Sequence, residues 1–366
     1  MIRCIAVYPA DRPSSKARQW EQYIKQAKAN GFQEVFSTIH LPEFTLEKQI
    51  DSLLVLSELV HRYKMDLCVD IGGSYIAEIL KNKELLQTIR KCRIDTVRLD
   101  YGYHHDQIAL LYKKLKLKGF VLNASIYSAE EAEQEIQFLQ SISSDLSIKG
   151  CHNFYPMPET GLDAEFAKEQ DKVFKRYNLP VFYCIPSMTN PRAPMLAGLP
   201  TIEKHRYAGI ESIMLDLIHS YDCDAIMLAD EFCDESELIK INRILEKKPI
   251  PIHVLFYKVS SEEKEIVLKS HVFRYDSNSS ILRSQTSREM ACFAKQIIPC
   301  SCTKRHARDI VILNRNAKRY SGEMQVAECE LPRSTMMNVI GKIDPQSMEL
   351  LSYYRFGYTY EFLEKA

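Results

Sequence analysis

Residues 120–153, FVLNASIYSAEEAEQEIQFLQSISSDLSIKGCHN, hold one complete strand–helix–strand unit. The run Phe120–Ala124 is nearly all apolar, as a parallel strand buried on both faces requires. Ser128 and Glu131 then stand at the spacing of a capping box, in which serine and glutamate side chains satisfy each other's backbone N–H groups. Glu133–Leu139 continues the helix, and Gly150–Asn153 predicts the next strand. Parallel strands need a crossover, and crossovers of this kind are right-handed.

The same grammar extends in both directions. Apolar runs at Ile2–Tyr8, Glu34–Thr38, Leu67–Ile71, Thr96–Leu99, Val181–Ile185 and Ala225–Ala229 complete a set of eight. Helix signals fall between them. Ser14 leads into Arg18–Asn30, with Gly31 as its stop, and Thr45 heads a stripe of Leu46, Ile50, Leu53 and Leu54. Asp163, Thr201 and Asp234 head Ala164–Tyr177, Ile202–His219 and Glu235–Leu245. No glycine-rich dinucleotide fingerprint and no P-loop follow any run, which disfavours an open doubly wound sheet. The expected fold is α/β, a (β/α)8 TIM barrel over residues 1–246.

After Glu246 the pattern changes. Lys247–Ile252 holds two prolines and reads as a linker. Residues 253–366 then carry short β-like runs at His253–Tyr257, His271–Arg274, Asp309–Leu313, Glu323–Glu328 and Asn338–Ile343. A second capping box, Ser260 with Glu263, predicts a helix over Ser260–Ser270. This is a small, mainly β second domain.

Composition bounds the function. The 366 residues carry 48 basic and 48 acidic side chains, so nothing marks a nucleic-acid footprint or a polybasic membrane patch. Met1–Tyr8 is too short an apolar run for a signal-peptide core. The 11 cysteines form no C-x-x-C pair and several sit in apolar runs, which suits reduced thiols in the cytoplasm.

In such a barrel the active site lies at the C-terminal ends of the strands. The residues expected there are His40, Asp70, Arg98, Asp100, Asn123, His152, Asn153, Glu159, Arg192 and Asp230. Two chemistries suit the set. Paired carboxylates, one protonated and one ionised, cleave glycosidic bonds. Alternatively, Asp70, Asp100, His152 and Asp230 hold a divalent metal, as in sugar isomerases and aldolases, although no local metal-ligand spacing occurs. The stretch CHNFYPMPETGL (Cys151–Leu162) sets Glu159 on a proline-stiffened loop. In GLPTIEKHR (Gly198–Arg206), Thr201 at a helix start beside His205 and Arg206 suggests an anion site.

These two stretches, with IAVYP (Ile5–Pro9), VRLDYG (Val97–Gly102), RYSGEMQ (Arg319–Gln325) and NVIGKI (Asn338–Ile343), resemble the 6-phospho-N-acetylmuramidases of the MupG type over the whole chain. The resemblance implies a (β/α)8 barrel followed by a cyclophilin-like β-barrel, with no cofactor. It also implies hydrolysis, inside the cell, of N-acetylmuramic acid 6-phosphate β-linked to N-acetylglucosamine. Asp100 is then expected as ionised base or nucleophile and Glu159 as general acid, with Asp230 third. Arg98, Arg192, His205 and Arg206 are candidate cations for the phosphate. Glu231 stands where the family pattern has proline, which lowers its weight. In the second domain, His271, Arg274, Arg283, Arg288, Arg319 and Glu323 either contact the phosphate or are solvated side chains of a lid or homo-oligomer module. A phosphosugar sensor that binds without turnover is the non-catalytic alternative.

Overall fold

In the computed structural model, residues 1–290 and 297–365 are described. Eight parallel strands, β1 (Ile2–Ala6), β2 (Glu34–Thr38), β3 (Asp66–Ile71), β4 (Thr96–Leu99), β5 (Gly119–Asn123), β6 (Ser147–Cys151), β7 (Val181–Ile185) and β8 (Ala225–Leu228), close into a barrel in sequence order. Alternation along each strand sorts its residues between two cores. Cys4, Ala6, Phe36, Cys68, Val121, Cys151, Phe182, Cys184, Ala225 and Met227 fill the lumen. Their alternates, such as Ile5, Val35, Val69, Val97, Leu99, Phe120 and Leu122, are buried on the outer side of the barrel wall. Small residues such as Cys4, Ala6 and Ala225 share this cluster with the larger Phe36, Phe182 and Met227.

The helices pack outside by their apolar stripes. Trp20, Tyr23, Ile24 and Ala27 are the buried face of the helix Pro13–Ala29. Thr45 caps Leu46–Arg62, and the Ser128/Glu131 capping box forms as the sequence predicts. β6 begins three residues before its apolar run, at Ser147 and not at Gly150. The reason is Lys149, which turns into the lumen and pairs with the buried Glu34 carboxylate. A charged residue paired inside the barrel breaks the apolar signature of the strand that carries it.

The chain divides into two compact units, Met1–Asn242 and Arg243–Ala366. The second is a seven-stranded sheet made of β9 (Ile250–Phe256), β10 (Ser270–His271), β11 (Ile281–Arg283), β12 (Asp309–Leu313), β13 (Met324–Ala327), β14 (Met337–Ile343) and β15 (Tyr360–Glu364). Their order is β10-β15-β9-β14-β12-β13-β11. The sequence expectation of a linker over Lys247–Ile252 is corrected here, because β9 begins at Ile250 and runs through Pro251. Pro251 is tolerated because β14 pairs with β9 only from Val254 to Phe256, and the first residues of β9 pair with β15 alone. The Ser260/Glu263 capping box heads a helix at Ser261–Val267.

Gly119 opens β5 where the neighbouring backbone leaves no room for a side chain: a Cβ there would lie 1.8 Å from the Ser147 carbonyl oxygen. At Gly209, by contrast, a Cβ meets nothing within 4 Å. Gly119→Ala is therefore expected to destabilise the barrel by about 1–3 kcal/mol, the range for overpacking. Gly209→Ala should be close to neutral. Thermal denaturation followed by circular dichroism compares the two.

Candidate active site at the barrel mouth

Beyond the last apolar layer, inward positions on adjacent strands become polar, and a buried guanidinium lies among them. Arg98 of β4 is 7% exposed. Its Nη1 reaches Asp70 Oδ1 of β3 at 3.3 Å, and its Nη2 reaches Asn153 Oδ1 beyond β6 at 2.6 Å. Asn123 of β5 donates to the same Asn153 oxygen at 3.0 Å and to Asp100 Oδ1 at 3.5 Å. His40 stands 3.7 Å from Asp70 and 3.2 Å from the Thr38 hydroxyl. Burial works against the Arg98 charge, but Asp70 and its anionic neighbours hold its pKa above the ordinary value. Burial raises the Asp70 carboxyl, opposed by Arg98 and His40. The result is one continuous polar layer from β2 to β6 with two carboxylates, Asp70 and Asp100, around one cation.

The loops after β6 and β7 are locked together. Thr201 accepts from the Cys184 amide at 2.9 Å and donates to the Asn153 carbonyl at 2.9 Å. Leu162 bridges to Ile202. Arg206, 1% exposed, pairs with Glu203 at 2.6–2.7 Å and donates to the carbonyls of Tyr155, Met157 and Gly198. Glu203 in turn accepts from the amides of Glu159 and Gly161, at 2.9 and 2.7 Å. Hydrogen bonding to Arg206 holds the Glu203 carboxyl down to about 2. Glu159 itself is exposed, with φ of 68°, on a backbone fixed from below.

Several sequence-predicted site residues belong to this scaffolding. His152 is 1% exposed and faces away from the lumen, its ring nitrogens on Asp171 at 3.0 Å and Ser125 at 3.1 Å. His205 is buried against Asp216 at 2.7 Å, and burial lowers its pKa. Arg206 is the loop clamp just described. The helix start expected at Thr201 does not form, because the sequence turns through a 3-10 segment at Glu203–His205 and the helix Ile210–Ser220 begins only after Gly209. Asp230 is fully buried and accepts backbone N–H bonds from Ser187, Leu199 and Arg192 at 2.7–3.1 Å. It holds the β7 loop in place through these three donors. In the second unit, His271 is likewise enclosed, bonded to Ser284 and to the Ile266 and Val267 carbonyls. There Glu323 pairs bidentately with Arg283 and lies 3.6 Å from Arg288.

Arg192, expected from sequence, does stand at the mouth. Its guanidinium stacks 3.6 Å from the centroid of the Tyr8 ring, whose hydroxyl donates to the Ala229 carbonyl at 2.8 Å. Stacking uses the guanidinium face and leaves its N–H edges for an anion. Beside it lies a carboxyl that the sequence reading weighed lightly. Glu231 Oε1 accepts from the Trp20 indole at 3.1 Å and from the Tyr8 amide at 3.4 Å. Burial pushes this carboxyl up to about 7, with the indole bond, the Tyr8 amide, Arg192 and Lys16 acting in the other direction. Its place beside Asp230 at the end of β8 was the available signal. Among the described residues, no group of three or more His, Cys, Asp or Glu side chains is arranged to hold a metal ion.

Trp20 is the single tryptophan of the chain, so it reports on Glu231 without interference. Its emission is expected to titrate with a midpoint near pH 7, because the charge on Glu231 changes beside the indole N–H. The titration should disappear in Glu231→Gln. A fluorescence pH series on the two proteins checks this, and a wild-type midpoint below pH 5 would contradict it.

Comparison with known proteins adds the family. No curated protein matches the chain. A solved structure of a conserved Enterococcus faecalis protein of unknown function superposes with a TM-score of 0.80 at 26% identity, over 100% of this chain and 97% of that one. An uncharacterized B. cereus protein gives 0.71 at 22% identity, with 99% of each chain covered. The family model for the 6-phospho-N-acetylmuramidase N-terminal domain matches residues 4–243, and that for the C-terminal domain matches residues 250–363. On that match the chain belongs to the 6-phospho-N-acetylmuramidase family of glycosidases.

Proposed function

We propose that the protein hydrolyses the β-1,4 bond between N-acetylmuramic acid 6-phosphate and N-acetylglucosamine, in the cytoplasm, during recycling of cell-wall fragments. The observation that carries this reading is the Asp70–Arg98–Asp100 layer at the mouth. Asp70 pairs there with the buried Arg98 guanidinium, and Asp100 is tied to the same layer through Asn123 and Asn153, in a family named for this bond.

Asp100 serves as the ionised carboxylate. Its Asn123 contact at 3.5 Å orients it. Glu159 donates the proton to the leaving oxygen from the loop that Glu203 and Arg206 hold. An oxocarbenium-like transition state gains from Asp100 and Asp70 as positive charge develops on the sugar. The phosphate brings about −1.5 to −2 charges at neutral pH. Arg192 meets it with the edge of its stacked guanidinium, a geometry suited to bidentate oxyanion contact. His40 is a further polar side chain at the layer, 3.7 Å from Asp70.

The test is mass-spectrometric detection of N-acetylglucosamine release from the phosphorylated disaccharide. Wild type should turn the substrate over, with no loss in EDTA. Asp100→Asn and Glu159→Gln should each lose about 10²–10⁴-fold in kcat, the usual weight of acid–base groups. Arg192→Ala should mainly raise KM. Binding without product would make the protein a phosphosugar sensor, and EDTA loss restored by a divalent metal would replace this mechanism with a metal-dependent one. An unimpaired Glu159→Gln would move the proton donor elsewhere.

A further inference from the structure

We propose that Tyr101 is the platform on which the uncharged sugar of the disaccharide stacks, so that it sets selectivity for the leaving group. The proposal rests on the glycosidase reading above and gives a role to a strand-end residue to which the family assignment attaches none.

Tyr101 directly follows Asp100 at the end of β4 and is 78% exposed. Its ring stands in water directly after Asp100, on a backbone fixed from two sides. Gly102 turns the chain with φ of 83°. On one side a Cβ on Gly73 would fall 2.1 Å from the Gly102 oxygen and 2.5 Å from the Tyr103 nitrogen. The turn therefore lies directly on the start of the helix Gly73–Lys81, in contact that only glycine permits. On the other side the Tyr103 hydroxyl meets the Tyr127 hydroxyl at 2.8 Å and Glu135 at 2.9 Å, tying the turn to the β5 loop and the helix Ala129–Ile142. That β5 loop adds a second exposed apolar side chain, Ile126, at 47%.

Position around the barrel selects the sugar. In a closed barrel of eight strands in sequence order, β4 stands opposite β8. Arg192, the cation assigned to the phosphate, is on the β8–β1 side, stacked on Tyr8 and held by Asp230 through its backbone. A disaccharide whose phosphate sits there crosses the mouth past Asp100 and reaches the β4–β5 side with its unphosphorylated sugar. That side presents Tyr101 and Ile126, and a pyranose offers an apolar C–H face to an aromatic ring. The charged half of the substrate meets a guanidinium, and the uncharged half meets a ring.

The experiment compares two substrates with wild type, Tyr101→Ala and Tyr101→Phe: the phosphorylated disaccharide, and the β-glycosyl fluoride of the same phosphorylated sugar, which has no leaving sugar. Tyr101→Ala should lower kcat/KM for the disaccharide on the order of tenfold more than for the fluoride, mainly through KM. Tyr101→Phe, which keeps the ring, should restore the disaccharide rate. The high exposure of Tyr101 predicts an unchanged melting temperature, which separates this effect from misfolding. Equal losses on both substrates, or no loss on the disaccharide, would overturn the platform. Failure of wild type to hydrolyse either substrate would instead overturn the glycosidase reading, and the platform with it.

Discussion

The burial of the Arg98 charge is the constraint around which the mouth of the barrel is built. A guanidinium taken out of water carries a penalty of several kcal/mol unless its donors are matched. The match here comes from neighbouring strands, with Asp70 on one side and Asn153 on the other. Asn153 accepts from Arg98 and Asn123 through the same oxygen, so the amide's orientation is fixed by two donors at once. Asn123 then has its own amide hydrogens aimed at Asn153 and Asp100. Asp100 is thus placed by a chain of hydrogen bonds that starts from the need to neutralise Arg98. Removing any member leaves a buried polar group unpaired, so the layer behaves as one unit rather than as separable contacts.

A second layer of ionic pairs does the same for the loops. Arg206 and Glu203 form a short-range pair whose remaining hydrogen-bonding capacity goes to backbone groups from two different loops. This pair fastens the stretch around Glu159 to the stretch around Gly198. Asp230 performs the equivalent task for the β7 loop with three backbone donors. Of the charged residues in the two longest family motifs, Glu203 and Arg206 hold backbone in place, Lys204 pairs with Asp216, and Glu159 is left exposed. Loops that carry function in a barrel must be rigid to be useful, and these are made rigid by charge–amide bonds.

That division explains what could be read from sequence and what could not. The eight strands were legible because each is buried on both faces, and the two capping boxes were legible because they are local. Strand-end polarity identified Asp70, Arg98, Asp100, Asn123 and Asn153 as a group, and they do meet. The start of β6 was obscured by Lys149, whose partner Glu34 is 115 residues away. His152, His205 and Arg206 looked like ligand-binding groups because residue type alone does not reveal which side of a strand or loop a side chain takes. One position decides the matter for His152, which alternates with the lumen residues Cys151 and Asn153 and so packs outward on Asp171. Glu231 illustrates the opposite error, since its environment comes from Trp20 and Tyr8, both distant in sequence.

Backbone strain gives a further reason to set the β6–β8 side of the rim apart. Among non-glycine residues with positive φ, Lys64, Arg93, Lys116, Asn178, Asp222 and Lys247 all follow the ends of helices, where the left-handed conformation is a normal stop. Glu159, Leu196 and Phe232 do not. They lie in the loops after β6, β7 and β8, and a left-handed non-glycine residue costs on the order of 1–2 kcal/mol. At Glu159 the two amides bonded to Glu203 offset that cost and hold the residue where glycine would rest more easily. Glycine would serve the turn equally well and would be less strained, so the turn alone does not account for a carboxylate at this point. The proposed hydrolysis draws its proton donor from this exposed acid, kept on a strained, clamped backbone in the loop after β6.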